Sequence, residues 1–420
     1  MDIIKQEHPK GLYLLFCVEM WERFSYYGMR ALLVLYMVQE LMFTSQKAGN
    51  IYGLYTGLVY LTPLLGGYLA DRFFGQRKCI AAGGFFMAGG LFLLAFGSKD
   101  LFLLSLFLMI IANGCFKSNI SSTLGLLYGN DNSKKDSAFT IFYMGINLGA
   151  FFSPLVCGTL AVKYGFEWGF ASAGIGMLIG LFLYKIYEKR LLGDVGLKPV
   201  VPDKNDVSVN SEENKKLLAL FILMIFTIPF WICFEQAGSS LTLFAEYNVN
   251  RTFWGHTIPT GYFQSLNPFF IITLAPLFSV FWEWLRQKQK EPSSVEKFAI
   301  ALLLMSSSYV ILIFADIFNK TDHVSMWWLV LVYFVMTISE LCLSPIGLSL
   351  VSKLAPKKFL SLIMGTWFLT CFIGDALAGF WGGKYESLTS VQLFAPLAIL
   401  SFAAFLILLI IIPKLNKHLD

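Results

Sequence analysis

Twelve mostly apolar stretches, each long enough to cross a bilayer, dominate this chain. The hydrocarbon core is ~30 Å thick and a helix rises ~1.5 Å per residue, so a spanning helix needs about 20 such residues. The stretches cover 11–37, 49–70, 79–97, 101–128, 138–163, 169–188, 216–245, 258–284, 296–318, 325–352, 359–382 and 391–412. Inside lipid every backbone N–H and C=O must be satisfied within the protein, which a helix does along its own length. The expected fold class is therefore an all-α membrane protein with twelve transmembrane helices. Composition agrees: of 420 residues 56% are hydrophobic and only 14% charged. A soluble domain carries about 25% charged residues. Disordered, collagenous and disulfide-rich secreted classes are excluded, and an ordinary cytosolic enzyme is disfavoured.

One long polar run, 189–215, interrupts the pattern and divides the spans into six and six. The expected organisation is an N-terminal six-helix bundle over 1–188, a linker over 189–215 and a C-terminal six-helix bundle over 216–420. No cleavable signal peptide is evident in the opening MDIIKQEHPK. Lys and Arg concentrate on the cytoplasmic side of membrane proteins. Placing both termini and the linker there puts 23 of the 32 basic residues on that face, six on the other and three within spans. Both termini are thus expected in the cytoplasm, and the short loops point to a bacterial inner (plasma) membrane. The net charge of +5 is explained by lipid rather than by nucleic acid. The seven cysteines stand singly in apolar runs without a CxxC pair, so neither a zinc site nor a disulfide framework is indicated.

Charges inside the spans are costly and mark function or pairing. The first span holds Glu19, Glu22, Arg23 and Arg30, the fourth Lys117, the seventh Glu235, the tenth Glu340 and the eleventh Asp375. At 100° per residue, positions 19, 22, 23, 26 and 30 share one helix face. That stripe either lines a cavity or forms ion pairs that tie helices together. Helical rise places Arg30 and Glu235 each about 28 Å above the cytoplasmic start of its span, matching depths for an ion-pair gate. Lys117 and Glu340 lie about 24 and 22 Å deep from the other side, near the midplane. A cation and an anion there suit a substrate bearing both charges.

Several chemistries are excluded. The four histidines, His8, His256, His323 and His418, fall in tails or loops, so a proton carrier inside the membrane must be a carboxylate. No GxxxxGK[ST], HExxH or GxSxG occurs, which disfavours direct ATP use, zinc proteolysis and serine hydrolysis.

Two resemblances follow. Twelve spans split six and six, with Gly67-Tyr68-Leu69-Ala70-Asp71-Arg72-Phe73-Phe74-Gly75-Gln76-Arg77-Lys78 after the second, resemble the major facilitator superfamily. Without that superfamily, the same segment reads as an ordinary positive-inside loop. The run Glu19-Met20-Trp21-Glu22-Arg23-Phe24-Ser25-Tyr26-Tyr27-Gly28 resembles the ExxERFxYYG signature of the proton-coupled oligopeptide transporter family. Phe142-Tyr143-Met144-Gly145-Ile146-Asn147-Leu148-Gly149-Ala150, Glu235-Gln236-Ala237-Gly238-Ser239 and Ser344-Pro345-Ile346-Gly347 resemble three further elements of that family.

The resemblance implies a major facilitator fold and a proton-driven importer of di- and tripeptides, with no cofactor beyond the coupling proton and function as a monomer. It implies that Arg30 and Lys117 face the peptide carboxylate and Glu340 the amino group. Asn147 and Asn267 would bond the peptide backbone or terminus, and Tyr26, Tyr27, Tyr60, Trp231 and Ser344 would line the site. Glu19, Glu22, Arg23, Lys117 and Glu235 would form the proton-coupling set, with Arg30 and Glu235 as gate. The same scaffold could instead carry a small anion, although Glu340 would repel it. A non-transporting peptide sensor and an efflux antiporter are the other readings. Two features depart from the family: the linker is too short for the two extra helices of many bacterial members, and Asp375 stands where a neutral residue is expected. Asp375 pairs, stays protonated or lines the cavity.

Overall fold

The computed structural model describes residues 8–129, 132–199, 211–319, 323–354 and 360–419. The helices are α1 (Lys10–Gln39), α2 (Ser45–Leu69), α3 (Gln76–Ala95), α4 (Lys99–Tyr128), α5 (Asn132–Tyr164), α6 (Phe166–Leu192), α7 (Ser211–Ile225), α8 (Thr227–Phe234), α9 (Ser240–Tyr247), α10 (Leu266–Gln287), α11 (Ser294–Ile317), α12 (Met326–Leu354), α13 (Leu360–Gly382) and α14 (Ser390–Leu419). Among the described residues, ten helical stretches are long and apolar enough to cross a membrane. The other two crossings, α1 and α2, are 30 and 25 residues long and more polar. The fold is the expected all-α membrane architecture of twelve crossings, in which α7, α8 and α9 make one.

That seventh crossing is not the continuous helix expected over 216–245. Pro229 has no N–H to return to the carbonyl of Ile225, so helix α7 stops there and α8 restarts at Thr227 with the proline in its first turn. A 3-10 turn, Glu235–Gly238, then separates α8 from α9. Irregular backbone at membrane depth requires substitute partners. Tyr309 Oη donates to the Cys233 carbonyl at 2.5 Å, and Thr242 Oγ1 to the Ala237 carbonyl at 2.8 Å. Gln236 Nε2 donates to the carbonyls of Ile232 and Ala378, each at 3.0 Å. The eighth crossing similarly opens with a 3-10 turn, Thr260–Ser265, before α10.

The polar run after the sixth span is shorter than 189–215, because α6 continues to Leu192 and α7 begins at Ser211. Lys189 and Arg190 sit in the last turn of α6, where cations complement the helix dipole, so their charge extends the helix rather than ending it. Arg77 Nη1 donates to the Gly193 carbonyl at 2.6 Å and the Arg77 amide to the Gly196 carbonyl at 3.0 Å. The start of the linker is therefore fastened to α3; residues 200–210 lie outside the described residues.

Two compact units emerge. The first comprises residues 1–32 and 61–203, the second 33–60 and 204–420. The division does not follow the halves of the sequence: the end of α1 and the first part of α2 belong with the second unit. The reason is a ladder of glycines. A Cβ on Gly53 would lie 2.6 Å from the Asp375 carbonyl and 2.8 Å from Gly379 Cα, and one on Gly49 would lie 2.6 Å from Gly383 Cα. Only glycine at 49 and 53 lets α2 press its backbone onto α13, as small residues four apart do between membrane helices. Ser45 completes the seam, donating from Oγ to the Gly383 carbonyl at 2.9 Å while its amide donates to Glu386 at 3.2 Å.

Candidate substrate and proton site

In the first unit, the charged stripe of α1 is built into the protein. Glu19, Glu22 and Arg23 are all buried. Arg23 Nε lies 3.2 Å from Glu19 Oε1, one turn earlier, and also bonds Glu22 Oε2. The i, i+4 spacing brings Glu19 over Arg23 along one helix row. The Lys117 ammonium on α4 acts electrostatically on both carboxylates. Two carboxylates and two cations cancel, which is how a low-dielectric site tolerates four ions that would each cost several kcal/mol alone. The cancellation is incomplete in hydrogen bonds: Glu19 Oε2, Glu22 Oε1 and Arg23 Nη2 are buried without a partner.

Helix α5 backs this cluster closely. A Cβ on Gly149 would meet the Phe24 amide nitrogen at 2.9 Å and Arg23 Cβ at 3.1 Å, so the glycine of the FYxxIN-G-A element serves to bring α5 against α1. Asn147, on the same turn, is buried and donates from Nδ2 to the Tyr143 carbonyl at 3.0 Å. Farther along α1, the Arg23 guanidinium lies 5.4 Å from the Tyr26 ring and the Arg30 guanidinium 5.8 Å from the Tyr27 ring. Tyr26 and Tyr27 pack edge to face at 5.2 Å. The two tyrosines thus form an aromatic wall beside two cations.

In the second unit, Glu340 on α12 accepts a hydrogen bond from Asn267 Nδ2 at 2.7 Å. The same amide reaches Thr337 Oγ1 at 3.2 Å, and Thr337 donates to the Tyr333 carbonyl at 2.7 Å. Pro268 follows Asn267 in the first turn of α10, where its missing N–H costs nothing and its ring stiffens the turn that carries the amide. The Asn267 amide therefore faces α12. Ser344, one turn after Glu340, has a buried hydroxyl without a partner. Trp231 on α8 is buried, its indole N–H likewise without a partner, and Gly374 accommodates its side chain. Glu235 is buried in the 3-10 turn after α8. Asp375 is buried on α13. Tyr60, at the end of the α2 segment of this unit, packs on its core.

Two groups of expected residues thus assemble: Glu19, Glu22, Arg23, Tyr26, Tyr27, Arg30 and Lys117 in one unit, and Asn267, Glu340 and Ser344 in the other. Thr337 was missed, although its position three residues before Glu340 puts it on the same face. The glycines at 49 and 53 were also missed; their four-residue spacing was the available signal.

The chain was compared with known proteins. The model of the POT family matches residues 77–193 and 195–393. Peptide transporter YePEPT of Yersinia enterocolitica subsp. palearctica is 35% identical, covering 96% of this chain and 94% of that one. A di-/tripeptide transporter of Lactococcus lactis subsp. cremoris is 34% identical, with 96% and 95% covered. The crystal structure of peptide transporter POT in complex with sulfate superposes with a TM-score of 0.91 at 32% identity, covering 100% of this chain and 97% of the other. A POT family transporter in complex with 5-aminolevulinic acid superposes with a TM-score of 0.90 at 30% identity, with 98% of both covered. The chain belongs to the POT family, a family of membrane transporters and not of enzymes.

Proposed function

We propose that this protein is a symporter that uses the proton gradient to import di- and tripeptides by alternating access. The observation that carries the reading is the division of buried charge: a balanced carboxylate–cation cluster on α1 and α4, and a carboxylate held by an amide on α10 and α12. A zwitterionic peptide needs a cation for its carboxylate and an anion for its amino group. Arg30 and Lys117 serve the first and Glu340 the second. Tyr26, Tyr27, Tyr60, Asn147, Trp231 and Ser344 supply the remaining surface. Relatives named as peptide and di-/tripeptide transporters support this assignment.

Coupling follows from charge balance. Protonating Glu19 or Glu22 leaves the cluster with one cation in excess. The excess is cancelled when a peptide carboxylate takes Lys117 or Arg30, so proton and peptide each favour the other's binding. Loss of both on the cytoplasmic side restores the internal pairs. Glu235 is a further carboxylate of the coupling set, and with Arg30 the gate. The protein acts as a monomer in the plasma membrane with both termini in the cytoplasm, and requires no cofactor other than the proton.

The test is uptake into proteoliposomes under an inward proton gradient, with dialanine, alanine and N-acetyl-dialanine compared side by side. Accumulation of dialanine alone, abolished by a protonophore, is the expected result. Equal handling of the acetylated peptide would remove the amino-group role of Glu340. Binding without turnover would indicate a sensor, and export would indicate an antiporter.

A further inference from the structure

The segment between α9 and α10 carries a short hairpin whose tip breaks the rule for its own turn. Strand β2 (Thr252–Phe253) pairs antiparallel with β3 (His256–Thr257), with Phe253 opposite His256. The two residues between them are Trp254 and Gly255, with φ of 49° and 78°. Positive φ at both positions is what a two-residue hairpin turn requires, and glycine, asparagine or aspartate normally supplies it. Gly255 obeys. Trp254 does not, since a bulky L-residue in the left-handed region is sterically penalised. Nothing within the hairpin compensates by burying the indole, because Trp254 is 88% exposed.

The hairpin is also anchored. Arg251 donates from Nη1 to the Ile258 carbonyl at 3.0 Å and from Nη2 to the Glu246 carbonyl at 3.3 Å. Its Nη2 is 3.2 Å from the Glu246 carboxylate. Strand β1 (Val249–Asn250) pairs in parallel with β4 (Val324–Ser325), tying the root of the hairpin to the start of α12. Three membrane spans converge on this root: one ends at Tyr247, one begins at Thr260 and one at Met326. From tip to span runs a column of aromatic rings. Trp254 stacks on Phe253 at 4.8 Å, and Phe253 meets Trp327 edge to face at 6.0 Å. Trp327 is the second residue of α12 and is itself exposed, as is Tyr247 at the end of α9.

We propose that Trp254 is an interfacial lipid anchor, its indole lying in the headgroup region of the leaflet where these three spans end. The surface is continuous with the lipid-facing end of α12 through Phe253 and Trp327. Indole, with its apolar body and polar N–H, favours that zone, where tryptophan and tyrosine form belts around membrane proteins. The lipid contact explains why a residue ill-suited to the turn occupies it.

The test uses the full chain in phosphatidylcholine nanodiscs, labelled with 5-fluorotryptophan; the resonance of Trp254 among the ten tryptophans is assigned by its loss in Trp254→Asn. Asparagine is the residue this turn favours, so the variant keeps the hairpin. Phosphatidylcholine spin-labelled at the headgroup is expected to broaden the Trp254 resonance more than a water-soluble gadolinium chelate does. As a second reading, quenching of total tryptophan fluorescence by lipid brominated near the top of its chains should fall in Trp254→Asn relative to wild type. Broadening by the chelate but not by the lipid, or unchanged bromine quenching in the variant, would overturn the anchor and assign the ring to solvent or to a second copy of the chain.

Discussion

Asn267 Nδ2 donates to Glu340 Oε2 at 2.7 Å while its other hydrogen reaches Thr337. The amide fixes the carboxylate that we assign to the peptide's amino group. Asn267 thereby acts through Glu340, by positioning it.

This relationship orders two substitutions. Glu340→Gln should weaken binding of free dipeptides by about 1.5–3 kcal/mol, the range for hydrogen bonds to charged groups, and leave N-acetylated peptides nearly unaffected. Asn267→Ala leaves the carboxylate in place but loosens it, so it should weaken free dipeptides less than Glu340→Gln does, with the same preference for free over acetylated peptide. Competition binding with both substrate types reads the difference. Equal losses for acetylated peptide would remove Glu340 from the amino-group site.

Glu22→Gln should separate binding from driving. It removes one proton acceptor from the cluster but leaves Arg30, Lys117 and Glu340. Exchange of labelled for unlabelled peptide at equal pH should survive, while uptake driven by a proton gradient collapses. Lys117→Ala should uncouple in the same way and also bind peptide more weakly. Because the neutral amide leaves Arg23 with one carboxylate fewer, thermal stability and membrane expression are measured alongside. A folded Glu22→Gln protein that still concentrates peptide would move the proton to another group, with Glu235 next.

The glycine seam between α2 and α13 gives a stability prediction. Valine at Gly53 would drive a side chain into backbone already 2.6 Å from the ideal Cβ position. Such overpacking costs roughly 1–3 kcal/mol. Gly89→Ala is the control, since a Cβ there meets nothing within 4 Å; it should be neutral or stabilising by about 0.5–1 kcal/mol through helix propensity. Thermal unfolding in detergent distinguishes them, and equal midpoints for the two variants would refute the seam.

A surface cluster between α10 and α11 should be sensitive to acid. Arg286 donates to Glu291 at 2.8 Å and Lys297 at 2.6 Å, and these bonds, Arg286 first, hold the Glu291 carboxyl below its usual range. A depressed folded pKa stabilises the fold above the unfolded value, about 4.3, and the contribution is lost as pH falls through the folded value. The midpoint difference between wild type and Glu291→Gln should therefore be present at neutral pH and be lost on acidification as pH falls through the lowered folded value. Arg286 is exposed, so its share of the difference should be small and should shrink with added salt.

The number of membrane crossings, their approximate limits and the charged residues inside them were all legible in the sequence. Each depends on local composition: a run of about 20 apolar residues announces a span, and a charge within it is conspicuous. The signature on α1 likewise named Glu19, Glu22 and Arg23, because an i, i+4 row brings them together within one helix. Tertiary structure decided what depends on partners distant in the chain. Asn267 and Glu340 are 73 residues apart, and nothing local to either tells that their side chains meet. The first part of α2 joins the second unit because Gly49 and Gly53 find Gly379 and Gly383 more than 300 residues away. The break at the end of α8 survives because Tyr309, 76 residues farther along the chain, is in place to satisfy the Cys233 carbonyl. Hydropathy is a property of a segment and can be read along it. Close backbone approach and hydrogen-bond satisfaction are properties of pairs, and exist only once the helices are packed.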